Sequence, residues 1–197
     1  MKPESANGSK RLDFEFIFVN CQRPNPFVGR PSQGDYMPYQ EMYLKTVEGN
    51  NVLKVLEEQL KTIPEFLNSI PEDKGKYSYS EGKWTIKEVI EHITDTERIF
   101  ACRALCIARG EKKVLPGFEQ DDYVKGANSN DRKLFDLIEE YRKVREANLS
   151  LFKSFGEDVF NNRGNVNNYQ ITVNSILYII AGHANHHLNV LKERYLN

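Results

Sequence analysis

Apolar residues recur every three to four positions along four long stretches of the chain, so each stretch is expected to be a helix that buries one face. The best signed opens at Thr85-Ile86-Lys87-Glu88, a T-x-x-E capping box in which hydroxyl and carboxylate satisfy free amides at a helix start. It is expected to run from about Ile86 to Arg109, and Gly110 fits the left-handed position that ends a helix. Val52, Leu53, Val55, Leu56, Leu60, Ile63 and Phe66 mark a second helix over Asn51–Leu67, with Pro64 placed to kink its last turn. Leu134, Leu137, Ile138, Tyr141, Val144, Leu151 and Phe152 mark another over Asp131–Ser154, stopped by Gly156. Val173, Ile176, Leu177, Ile180 and Leu191 mark the last, from Val173 to Tyr195. Four such helices predict an all-α four-helix bundle over residues 31–197.

Three segments stand outside the four helices. Pro38 to Val47 reads as a shorter helical piece, separated from the next helix by Gly49-Asn50-Asn51. Residues 1–30 form an N-terminal extension in which Leu12 to Val19 has the pattern of a short strand without a partner, so it is either an ordered appendage or a poorly ordered leader. Glu111 to Asn130 is an unusually long connection for a compact bundle, and long connections are more often functional than not.

With 27 Lys+Arg against 28 Asp+Glu the net charge is −1. No strongly positive surface is available to neutralise phosphates, which argues against nucleic-acid binding driven by overall charge. The densest apolar run, Ile176 to Ala181, is far short of the roughly 18 residues of a membrane helix. Pro3 to Ser9 lacks the apolar core of a secretory signal, and three cysteines make no disulfide framework, so a reducing cytoplasm is the expected setting. Cys102 and Cys106 read as packing residues and Cys21 as inert.

The four histidines are the most informative residues for function. His92 lies in the middle of one helix, while His183, His186 and His187 cluster on the last. At about 100° per residue, His183 and His187 share the inward sector of Ile176 and Ile180, and His186 is turned aside. Two buried imidazoles one turn apart each need a partner, since an unsatisfied buried polar group costs about 1–3 kcal/mol. A shared metal ion supplies one, and H-x-x-x-H is the spacing of helical zinc sites; hydrogen-bonded core histidines, or a wet bundle end, are the other reading. His92 from a second helix favours the metal. The position after His183 is Ala184, so the glutamate of an H-E-x-x-H peptidase is missing. Paired E-x-x-H motifs are missing too, which excludes a di-iron carboxylate bundle.

Gly82-Lys83-Trp84-Thr85-Ile86-Lys87-Glu88, Glu91-His92-Ile93-Thr94-Asp95-Thr96-Glu97-Arg98, Leu115-Pro116-Gly117-Phe118 and Gly182-His183-Ala184-Asn185-His186-His187, in that order, resemble the DinB-like superfamily and in particular its YfiT-like branch. The resemblance runs from about Arg30 to the C-terminus. It implies an up-down-down-up bundle and a divalent metal, nickel or zinc, on His92, His183 and His187. It also implies a homodimer and a small-molecule substrate. Relatives include transferases of bacillithiol or a similar small thiol, a mycothiol-dependent isomerase and proteins assigned as metal-dependent hydrolases. Ala184 departs from relatives that often carry Asp or Glu there, which puts any role of that acid in doubt.

Asp95, Glu97 and Arg98 follow His92 closely, and could either hold its free ring nitrogen or form interhelical salt bridges. Trp84 reads as a core anchor; Tyr123 and Arg145 could reach a bundle mouth. The expected function is thiol transfer to an electrophile, because a coordinated thiol is deprotonated near neutral pH and the thiolate is the reactive form. A hydrolase using metal-activated water and a non-enzymatic metal-binding stress protein are the alternatives.

Overall fold

Among residues 29–197, which the computed structural model of the chain describes, a 3-10 turn at Pro38–Gln40 leads into a short helix, α1 (Glu41–Leu44). Then come α2 (Val52–Asn68), α3 (Ile86–Ala108), α4 (Gln120–Gly126) and α5 (Leu134–Lys153). A hairpin of β1 (Arg163–Val166) and β2 (Tyr169–Thr172) precedes α6 (Val173–Val190), whose last turn, Leu191–Tyr195, is π-helical. The strand expected over Leu12–Val19 and the residue Cys21 lie outside the described residues.

The local signals act as their chemistry requires. Thr85 Oγ1 accepts from the Glu88 amide at 3.2 Å while Glu88 Oε2 accepts from the Thr85 amide at 2.7 Å, closing the capping box of α3. Gly110 adopts φ 85° just past its end. Asn51 caps α2 by accepting from the Lys54 amide. Thr172 caps α6 in the same way from Ser175. Pro64 lies inside α2, which continues to Asn68.

The core consists of two apolar clusters, and their membership fixes the direction of each helix. One cluster joins the start of α2 (Leu53, Leu56), the end of α3 (Phe100, Ala104, Ile107), the end of α5 (Leu149, Phe152) and the start of α6 (Ile176, Leu177, Ile180). The other joins the end of α2 (Ile63, Leu67), the start of α3 (Ile86, Ile90), the start of α5 (Leu134, Ile138) and the end of α6 (Leu188, Leu191). Helices α2 and α6 therefore run one way and α3 and α5 the other, the up-down-down-up bundle. α2 and α3 each pack against both α5 and α6, so α2 and α3 face one another across one diagonal and α5 and α6 across the other.

This topology explains the long connection. A parallel α5 can start only at the level where α3 started, so the chain must travel back along α3, whose 23 residues span about 34 Å. The return path is not structureless: it carries α4 and a 3-10 turn at Ser129–Asp131. It is pinned at one end where Leu115 bridges to the hairpin, its amide donating to Asn165 O at 2.8 Å. At the other end Asn130 bonds Thr85 and Glu88. The hairpin itself turns on Asn167 and Asn168, both left-handed at φ 49° and 66°, the geometry of a type I′ turn. Cys102 is exposed and Cys106 half-buried, so the cysteines expected to pack the core instead lie on the outer side of α3.

Candidate metal centre

Between the two apolar clusters every long helix carries a buried polar residue toward its neighbours: Gln59 on α2, Glu97 on α3, Arg145 on α5 and His183 on α6. Three of these form one chain of bonds. Arg145 Nε donates to Glu97 Oε1 at 2.7 Å and Nη1 to Gln59 Oε1 at 2.7 Å; Gln59 Nε2 donates to Ala181 O and Asn185 Oδ1. Burial works against the Arg145 cation, but Glu97 beside it prevails and raises its pKa.

The fourth residue, His183, belongs to a different cluster. Its Nε2 lies 3.0 Å from His92 Nε2 and 3.1 Å from His187 Nε2. All three ligand nitrogens fall within 4.8 Å of one another. The α3 and α6 stripes cross here, and one helical turn separates His183 from His187, which brings the three rings together. Nitrogens sharing one ion at 2.0–2.1 Å with 90–110° between bonds lie about 2.9–3.4 Å apart. The two separations to His183 therefore fit a divalent metal, while the widest of the three, up to 4.8 Å, would have to close around the ion. Hydrogen bonding alone fits poorly: one Nε2 site on His183 cannot point squarely at two neighbouring nitrogens. Burial depresses all three imidazoles, His92 to about 4 and His187 to about 3, with His183 well below its usual value. They are therefore neutral at pH 7, the state a metal needs.

Aromatic rings hold the imidazole planes. Trp84 sits with its ring 4.7 Å from that of His92, and its carbonyl accepts from the Tyr195 hydroxyl. Tyr43 meets His183 edge-on at 5.3 Å and His186 at 5.6 Å. That approach requires Gly182, where a Cβ would lie 2.1 Å from Tyr43 O. His186, half-buried against Tyr43, stays outside the convergent three.

Asp95 and Arg98 pair with one another at 3.3 Å, Arg98 also reaches Glu140 at 2.5 Å, and Glu97 is taken by Arg145. None of them hydrogen-bonds an imidazole. Ala184 packs in the second apolar cluster, so that position brings no acid to the centre. Tyr123 is exposed and stacks on Phe118, and Arg145 is interior rather than at a mouth. Sequence reasoning missed Tyr43, Gln59 and Arg103. Gln59 was findable, since it falls on the stripe Leu53-Leu56-Gln59-Ile63; Tyr43 and Arg103 reach the site only through tertiary packing.

His92 and His183 also line a cavity of about 270 Å³ bounded by α1, α3, the return connection and the hairpin turn. The profile of the DinB superfamily matches residues 56–191. The chain belongs to the DinB superfamily. Among solved structures it is similar to YfiT from Bacillus subtilis, described as a probable metal-dependent hydrolase with an unusual four-helix bundle topology. That match has a TM-score of 0.63, 14% identity, and coverage of 83% of this chain and 90% of YfiT. It is also similar to a mycothiol-dependent maleylpyruvate isomerase, with a TM-score of 0.58, 11% identity, and coverage of 78% of this chain and 62% of the isomerase. No curated protein matches the sequence. No helix among the described residues is long and apolar enough to cross a membrane.

Proposed function

We propose that this protein is a metal-dependent enzyme that transfers a low-molecular-weight thiol to an electrophilic small molecule, with nickel or zinc held by His92, His183 and His187. The observation that carries this reading is the convergence of three neutral imidazoles, two of which, His92 and His183, line a cavity, with no carboxylate of the described residues bonded to them. The ion would supply Lewis acidity, lowering the pKa of a thiol or a water molecule that it binds. Trp84 and Tyr43 fix the ring planes of His92 and His183, so both nitrogens stay aimed without reorganisation. Because all three donors are uncharged, the centre keeps the charge of its ion and favours an anionic partner such as a thiolate. Glu119 is the one carboxylate lining the cavity among the described residues, and it bonds none of the three imidazoles, which ranks thiol transfer above hydrolysis. The likeness to YfiT keeps metal-dependent hydrolysis as the second reading.

Metal-loaded protein incubated with a generic electrophile and a panel of small bacterial thiols separates these readings. Thiol-dependent consumption of the electrophile is the expected result. Thiol-independent cleavage of an ester or amide moves the assignment to hydrolysis, and no turnover leaves a metal-binding protein.

A further inference from the structure

His92, Thr96, Phe100 and Arg103 form one stripe of α3, and all four line the same cavity. The imidazole stands at one end of the stripe and the guanidinium at the other, with about 16 Å between their α carbons along the axis. Arg103 is only 7% exposed. Its Nη2 donates to Pro116 O at 2.6 Å, and the guanidinium lies over the rings of Phe100 (4.9 Å) and Phe118 (5.6 Å). Among the described residues it forms no ion pair. The ionisable groups near it are Tyr39, Cys102 and Tyr123, and burial lowers its pKa without a carboxylate to oppose the shift. Glu119, exposed at the cavity rim, does not pair with it.

A buried cation is normally matched by an anion, as Arg145 is by Glu97. Arg103 has instead been fixed by the return connection, with Nε and Nη1 left without a partner among the described residues. Thr96 Oγ1, on a residue 3% exposed, also lacks a partner among the described residues and lies between Arg103 and His92 on the stripe. The geometry points to a carboxylate-bearing small molecule as the substrate class, its carboxylate on Arg103, its apolar body against Phe100 and Phe118, and its reacting end toward His92 and His183. The assignment of the reacting end rests on the proposed metal function; the anion site does not. A cavity of about 270 Å³ restricts the ligand to a small molecule.

The test titrates the full-length protein at pH 7.5 with phenylacetate and with its uncharged isostere phenylacetamide. Phenylacetate is expected to bind saturably and to shift the Arg103 Nε–Hε resonance in NMR. Arg103→Met should weaken phenylacetate at least tenfold and leave phenylacetamide unchanged, with Arg103→Lys in between. His183→Ala, expected to lose zinc, should keep phenylacetate binding within threefold. Loss of phenylacetate binding in His183→Ala but not in Arg103→Met would show that the carboxylate goes to the ion, and would overturn the proposal while leaving the metal function intact. Equal binding to wild type and Arg103→Met, or no shift of the Arg103 resonance, overturns it as well. Arg103-dependent binding in a protein that takes up neither zinc nor nickel would sink the metal function and leave the anion site standing.

Discussion

Two polar clusters share the middle level of the bundle and solve burial in opposite ways. Around Arg145, positive and negative groups meet one another, and the bonds run from Glu97 through Arg145 and Gln59 to Asn185. Around His183, three like groups face one another with lone pairs converging and nothing of opposite charge bonded to them. The first cluster is complete in charge within the protein and ties four helices together, with only Glu97 Oε2 and Arg145 Nη2 left without a hydrogen-bond partner among the described residues. The second is complete only when something cationic sits among its nitrogens, so the first reads as scaffold and the second as function.

Breaking the complete cluster should have the largest effect. Arg145→Met strands the Glu97 carboxylate in a site where the two side chains are 0% and 2% exposed, and should lower unfolding free energy by about 3–5 kcal/mol in urea titrations. Adding Glu97→Leu should recover most of that loss, and zinc stoichiometry by calorimetry should be unchanged in the double variant. The incomplete cluster should respond to its ion instead. At a metal concentration a hundredfold above the dissociation constant, a chelator should remove about 2.7 kcal/mol from wild type. It should leave the melting temperatures of His92→Ala, His183→Ala and His187→Ala almost unmoved.

Acid sharpens the same contrast. In metal-free protein the folded imidazoles have pKa values near 4 for His92 and near 3 for His187, below the value of about 6.5 in an unfolded chain. Between those values the unfolded state binds more protons, so stability is full above pH 6.5 and falls as pH is lowered toward 4. The slope is at most about 1.4 kcal/mol per pH unit for each histidine. Denaturant midpoints measured across this window should flatten in His183→Ala. The smallest effect belongs to His186→Ala, which should keep zinc affinity within about threefold and the chelator response of wild type; if it lost the metal while His187→Ala kept it, the assignment of the two faces of α6 would be wrong.

The four helices and the convergence of His92, His183 and His187 were legible because both rest on periodicity within single helices. The same reading offered interhelical salt bridges for Glu97 and Arg98 but missed Arg145 and Gln59 as members of the complete cluster, although each occupies a core position of its stripe. A polar residue on a stripe shows its purpose only when its partners on other helices are known. The hairpin escaped because its strands are four residues long, and Gly164, Asn165 and Gln170 break any alternation. Pro64 suggested a kink near the end of α2, but a proline removes one donor there without ending the helix. Arg103 carried no sequence signal at all, because its surroundings come from Phe118 and Pro116 on the return connection.

That connection has a consequence for how such a protein can diversify. The histidines sit on two helices locked by core packing, whereas the opposite wall of the cavity is a chain segment pinned at Leu115 and at Asn130, with Phe118 and Val124 its apolar anchors in between. Substitutions from Pro116 to Gln120 can reshape what enters without touching the three convergent histidines. Part of the selectivity is thus carried by a piece of chain separate from the histidines, and descendants of this bundle could exchange one substrate for another while keeping the anion site on α3 and the same chemistry.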